Sequence, residues 1–329
     1  SRVRGLVLGL ALGDAVGSRS RGASPSGALA AGAATQLALA TIDGLVRAEV
    51  SRPEAMLNQA TDVAASEVAE AYRRWAVRRG EVPLEVAENS GWTANVPQLA
   101  LKRGSSPTTV QAILTNDVVD SVGYHALLRA LPIAAWNRPQ MGVASKSIGF
   151  SHNSERTWTL TNLMMLLLRN ALKSGDLQGA AMFTAHEMGV RTKPARHLTT
   201  VRERAQSQPC VAEVLRTFAP GRSVASAVTG GLYVALSYPD ADTIAEALEF
   251  ARNATSGNAV GAAAGAILGA VHGVHTLPAG FVSQLELGWV ADALARDLAA
   301  VGPVGALARL AERSPVEAAR LKRAYPGRT

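Results

Sequence analysis

The residues of this chain that could do chemistry lie in a few short runs. Asp14, in Gly13-Asp14-Ala15, offers a carboxylate that could act as a general acid or could instead cap or brace a helix end. His125 follows Tyr124 and could serve as acid or base in a cleft, although no carboxylate stands in the neighbouring motifs to orient it. His152, in Ser151-His152-Asn153-Ser154, is either a ligand contact or a bystander in an ordinary Ser/Asn cap. Thr255-Ser256-Gly257-Asn258 leads into a helix, where Ser256 or Asn258 could cap the first turn or help hold an anion there. Arg129 could grip a phosphate or bond an internal acceptor from a helix. Cys210 follows Pro209 without an activating neighbour and reads as a buried or unreactive thiol.

The elements that must position these residues read as helices. Apolar residues recur at helical spacing throughout, and no run of alternating strand residues is found. "RVRGLVLGLALGDAVG" carries Gly5, Gly9 and Gly13 four apart, and "GNAVGAAAGAILGAVHG" repeats the spacing at Gly261, Gly265 and Gly269. Glycines four apart share one face, so each helix offers bare backbone to a neighbour. The two are expected to meet and set their N-terminal loops side by side. "GAATQLALATIDGLVRA" opens a helix on Ala33-Ala34 with no capping side chain, although a first turn has donors to satisfy. Further helices are predicted at about 35–49, 53–79, 107–116, 121–136, 154–173, 176–189, 208–218, 223–237, 241–253, 259–272 and 286–300, with prolines mostly between them. The expectation is an all-α fold, one compact domain over residues 1–329.

Composition narrows the classes. The chain is 48% hydrophobic but only 5% aromatic, which suits closely packed helices. A net charge of +7 would permit nucleic-acid contact, but the basic residues are scattered, so none is expected. "AYRRWAVRRG" reads as a solvated basic face and as a surface for any macromolecular partner. Trp75, Trp92, Trp136, Trp158 and Trp289 read as core or groove anchors. A single cysteine forbids an internal disulfide and suits a reducing cytoplasm. Leu160 to Leu168 is too short an apolar run to span a membrane. Abundant alanine and arginine point to a high-GC bacterial source.

In chain order, five segments resemble the ADP-ribosylglycohydrolase family. "RGLVLGLALGDAVG" is similar to its opening Gly-rich helix. "ATQLALATIDGLVRA" resembles its first metal helix, which usually starts Thr-Asp-Asp-Thr. "SVGYHALLRALPIAAW" resembles its Ser-x-Gly-Asn-Gly-Ala-Ala-Met-Arg-x-x-Pro segment, retaining Ser121, Gly123, Ala126, Arg129 and Pro132. "SHNSERTW" resembles its Thr-His-x-x-Pro region through His152. The stretch from Thr229 to Gly273 resembles its closing segment, where an Asp-x-Asp-Ser/Thr run precedes Gly-x-x-x-Gly. The resemblance implies an all-α domain that holds two magnesium ions and hydrolyses the glycosidic bond of ADP-ribosyl groups, with ligands chiefly from the two aspartate runs.

This sequence departs from that pattern at those runs. Ala33 and Ala34 stand where the first pair of aspartates is expected, and Ser256 and Asn258 where the second pair is expected. The loop from Gly17 to Gly32 is short and lacks the acidic residue that the resemblance leads one to expect beside a lid. Tyr124 and His125 replace a small Asn-Gly pair. The chain is therefore expected to bind no magnesium and to need no cofactor. Thr35, Ser121, Gly123, Tyr124, His152, Ser256, Gly257 and Asn258 are left as the lining of a vestigial cleft, with His125 and His152 as catalytic candidates. The expected function is that of an inactive pseudoenzyme acting on an unknown protein partner or by self-assembly. Two alternatives are a metal-independent module for ADP-ribose or a related nucleotide, and a hydrolase of altered activity.

Overall fold

The computed structural model describes residues 1–19, 27–52, 57–136, 140–302 and 306–326. Within them lie seventeen α-helices and short 3-10 turns, and the only β pairing is three isolated bridges. The centre is a pair of helices, α1 (Arg2–Gly17) and α13 (Gly257–His272). Residues 259 to 271 of α13 are all buried, because the helix is small and apolar on every side.

The glycine pattern makes this pairing close. Gly5, Gly9, Gly13 and Gly17 face Gly269, Gly265, Gly261 and Gly257 in that order. A Cβ on Gly9 would sit 2.1 Å from the Gly265 carbonyl oxygen, and one on Gly261 would sit 2.3 Å from that of Gly13. The backbones touch, and no side chain fits between them. The order of partners also corrects the expected arrangement. The helices run antiparallel, so the C-terminal end of α1, not its N-terminal loop, meets the start of α13.

Around this pair pack α2 (Ala33–Ser51), α11 (Val224–Ser237) and α15 (Gly288–Val301), and α3 (Leu57–Arg78) packs outside them on α2. Gly44 of α2 lies against the Val68 backbone of α3, where a Cβ would be 2.6 Å from the Val68 Cα. The buried apolar cluster extends from Leu6 to Tyr325. No described helix is long and apolar enough to cross a membrane.

Several local expectations are corrected. Five helices were not anticipated: α6 (Gln140–Gly149), α9 (Lys193–Ser207), the single turn α14 (Ala279–Val282), α16 (Ala306–Arg313) and α17 (Pro315–Ala324). Pro194, read from sequence as a break, in fact opens α9, and Pro315 likewise opens α17, since the first turn needs no donor from a proline. The helix expected from 121 begins at His125 as α5 (His125–Ala130), because Val119 and Gly123 bridge instead to His152 and Ser223. The middle of the short loop, 20–26, and the expected helix start at 53–56 lie outside the described residues. Cys210 is exposed rather than buried. Trp75 and Trp136 are buried as expected, but Trp289 is 57% exposed beside Trp92.

The arginine-rich end of α3 is not a solvated face. Arg74 and Arg79 are buried because each finds acceptors inside the fold. Arg74 pairs with Asp43 at 3.2 Å, and Arg79 pairs with Glu81 at 2.8 Å.

Candidate functional site

The start of α2, the start of α13 and the end of α1 converge on Asp14, which is fully buried. Its Oδ2 accepts hydrogen bonds from Gly32 N at 2.9 Å, Thr35 N at 3.2 Å and Thr35 Oγ1 at 2.6 Å. Gly32 is the N-cap residue of α2 and has no side chain to offer. Asp14 therefore does from α1 what a local cap would do, and the apolar opening of α2 needs no residue of its own. Burial pushes the Asp14 carboxyl above its ordinary value, while the hydrogen bonds from Thr35, Gly32 and Asn258 act the other way.

On the other side, Asn258 Nδ2 donates to Tyr124 Oη at 3.1 Å and approaches Asp14 Oδ1 at 3.5 Å. Ser256 Oγ donates to Asn258 Oδ1 at 2.9 Å and makes no side-chain cap to α13. Gly257 lies in the helix seam, where a Cβ would be 2.7 Å from the Gly17 carbonyl oxygen. Thr35, Asn258, Ser256 and Tyr124 thus form one network with Asp14.

Ser121, Gly123 and His152 form a second, adjoining group. Gly123 N donates to Ser121 Oγ at 3.2 Å, and a Cβ on Gly123 would stand 3.6 Å from His152 Nε2. His152 Nδ1 lies 2.9 Å from Ser151 Oγ, which also accepts from Arg129 Nη2 at 2.9 Å. Arg129 is fully buried, donates to Thr109 Oγ1 at 2.9 Å and lies over the Tyr72 ring at 4.6 Å. It braces the His152 segment from within the core. Burial, with Arg129 and His125 nearby, pulls His152 down to about 3. Burial, with Arg129 and Arg79, pulls His125 down to about 4. His125 stacks on Tyr124 with ring centroids 4.4 Å apart. Both imidazoles are neutral near pH 7 and far from the value that suits a general acid there.

Two residues that sequence reasoning missed close the front of the site. Gln36 Oε1 accepts from Arg79 Nη1 at 2.7 Å and Trp75 Nε1 at 3.2 Å, and Gln36 Nε2 donates to Leu101 O at 3.0 Å. Arg79 Nη2 donates to Gly104 O at 2.7 Å. The segment 101–104 is thereby held over the first turn of α2, with the Gly104 Cβ position 3.7 Å from Ala33 N. Ala33 and Ala34 are 3% and 1% exposed. A glutamine in an otherwise apolar first turn was the available signal.

A separate open groove runs between α7 (Glu155–Ser174), α9 and α11. Its two lobes, of about 490 and 480 Å³, share Arg156, Leu160 and His197. Lys193 and Glu155 line one lobe, Phe218 and Ser223 the other. Ser223 bridges to Gly123, so the groove adjoins the His152 group.

The donor set does not fit a pair of magnesium ions. Among the described residues the junction offers one carboxylate, Asp14, whose Oδ2 already accepts three hydrogen bonds, and Asn258 turns its amide donor rather than its oxygen toward it. Magnesium sheds water reluctantly and takes carboxylate or other unoccupied oxygen ligands.

An all-helical body with a glycine-to-glycine central pair and a polar junction where three helix ends meet defines the class as a single all-α domain. Residues 1–308 match the model of the ADP-ribosylglycohydrolase family, and the chain belongs to that family. Among solved structures it resembles a chain of an "ADP-ribosylglycohydrolase-related protein complex", with 18% identity, a TM-score of 0.61, and coverage of 92% of this chain and 98% of that one. No curated protein matches.

Proposed function

We propose that this chain is a catalytically inactive ADP-ribosylglycohydrolase-like protein that acts through contacts with a partner protein or with further copies of itself. The observation that carries this reading is the self-satisfied network of Asp14, Thr35, Tyr124, Ser256 and Asn258. Polar groups that would have to turn toward cations and a ribose are bonded to one another instead, and segment 101–104 covers the start of α2. Ala33, Ala34, Ser256 and Asn258 supply no carboxylate in the places where the resemblance puts metal ligands, so no magnesium requirement is proposed. The fold neighbour is described as part of a complex, which agrees with a role in assembly. The continuous apolar cluster from Leu6 to Tyr325 supports a single domain.

The test combines a release assay on ADP-ribosylated arginine and serine peptides with light scattering across concentration and a search for co-purifying protein. No release, together with self-association or a stable partner, is expected. Magnesium-dependent release at enzymatic rates would overturn the reading.

The groove favours a second reading, metal-independent binding of ADP-ribose or a related nucleotide. Arg156 and Lys193 form no ion pair among the described residues, and Phe218 offers a ring on the wall of the second lobe. Calorimetry with ADP-ribose, with and without magnesium, decides it; absence of heat in both conditions rejects it.

A further inference from the structure

Asp43 of α2 is a buried acid surrounded by an excess of buried cations. Arg47 Nε donates to its Oδ2 at 2.8 Å, Arg74 Nη2 donates to the same oxygen at 3.2 Å, and Thr93 Oγ1 donates to Oδ1 at 3.4 Å. Arg78 reaches the same group through Thr93 Oγ1 at 3.4 Å and donates its Nε to Asn89 Oδ1 at 3.2 Å. Two guanidinium groups therefore bond one carboxylate directly and a third reaches it through Thr93, while Arg47 also donates to Ser90 O at 2.7 Å and Pro326 O at 2.9 Å. The other acids that act on Arg74, Glu70 and Glu67, stand about one and two turns before it on α3, and Glu70 also pairs with Arg73 at 3.2 Å.

Beside this cluster is a cavity of about 20 Å³ lined by Asp43, Arg74, Arg78, Thr93 and Gln36, with Leu39, Leu99 and Leu294 among its apolar walls. The Arg74 side chain is 5% exposed, and its buried Nε has no hydrogen-bond partner. A cavity of that size holds one water or one monatomic ion and excludes phosphate or sulfate. Burial pulls both guanidinium groups down, Arg78 to about 10, so the surroundings oppose the positive charge that the arginines keep.

We infer that this cavity is a binding site for a single halide, chloride in solution, held by Arg74 and Arg78 at the α2–α3 interface. A water would satisfy the Arg74 Nε but leave the charge excess untouched; a halide answers both. The site lies behind Gln36, which holds segment 101–104 through Leu101, so its occupancy stiffens the covered face of α2. This site is independent of whether the protein hydrolyses, binds or assembles.

The full chain is tested by thermal unfolding in chloride or bromide against gluconate at equal, low ionic strength. A saturable rise of about 3 °C in Tm is expected with the halides, as for any ligand that binds the folded state alone. Arg78→Met, at a half-buried position and with the aliphatic stem kept, is expected to abolish the difference. Crystals grown in bromide are expected to show one anomalous peak beside Arg74 Nε, a readout that needs no variant. Equal Tm in halide and gluconate, or a cavity without anomalous signal, would overturn the inference.

Discussion

Asp14 Oδ2 lies 2.6 Å from Thr35 Oγ1, and through this contact and those to Gly32 N and Thr35 N a residue of α1 caps α2. The junction of these helix ends is thus a structural joint. Replacing Asp14 by Ala strands two backbone donors and a hydroxyl in a buried place, which costs about 2–4 kcal/mol. Chemical denaturation measures the loss. A loss below about 1 kcal/mol would mean that the joint carries no weight.

The same carboxyl gives a pH signature. Its folded pKa is raised above the ordinary 3.8, so the stability linked to its proton is present below 3.8 and is lost as pH rises through the folded value. The stability of the wild type minus that of Asp14→Asn is therefore expected to be larger at pH 4 than at pH 8. The opposite slope would show that the hydrogen bonds outweigh burial.

The histidines act in the other direction. His125 and His152 fall from 6.5 to about 4 and about 3, so the stability they contribute is present above pH 6.5 and is lost as pH falls through that window. Each costs about 1.4 kcal/mol per pH unit while the unfolded chain alone takes the proton. Urea unfolding between pH 7.5 and 4.5 is expected to show the decline, and His152→Gln to lower its slope by one proton. Resonances of the His125 and His152 imidazoles titrating near 6.5 in the folded protein would contradict it.

The glycine seam predicts a sharp contrast. Gly9→Ala puts a methyl group 2.1 Å from the Gly265 carbonyl oxygen, so the helices must separate at a cost of about 3 kcal/mol or more. Gly221→Ala meets nothing within 4 Å and is expected to change stability by under about 0.5 kcal/mol. Melting curves of the two variants side by side check the pair, and similar losses would refute the packing argument.

Restoring Asp at 33, 34, 256 and 258 together is expected to create magnesium-dependent heat in calorimetry without full hydrolase activity. Segment 101–104 would still cover α2, and Tyr124 would still occupy the junction. Activity at the level of metal-dependent family members would show that the cleft is otherwise intact.

Within the candidate site, the resemblance to the family grouped Thr35, Ser256, Asn258, Tyr124 and His152 in one cleft, and four of the five do share the Asp14 network. Gln36 and Arg79 were not legible, because their meeting depends on where the end of α3 passes α2. Asp43 was passed over for the same reason. An acid in an apolar helix and a run of arginines thirty residues later announce a pair only when the interface between them is known.

The sequence by itself determined that the fold is helical and that two glycine-faced helices pack backbone to backbone. Spacing of four fixes a face, and a missing Cβ permits contact there and nowhere else. It also determined that the aspartates expected at 33, 34, 256 and 258 are absent. Only the tertiary structure decided that the two helices run antiparallel, since a face carries no direction. Likewise it decided that Asp14 supplies the cap of α2 and that Arg74 and Arg79, at the end of α3, are buried. Those outcomes rest on which donor meets which acceptor across helices, and a hydrogen bond between distant segments leaves no periodic mark on either one.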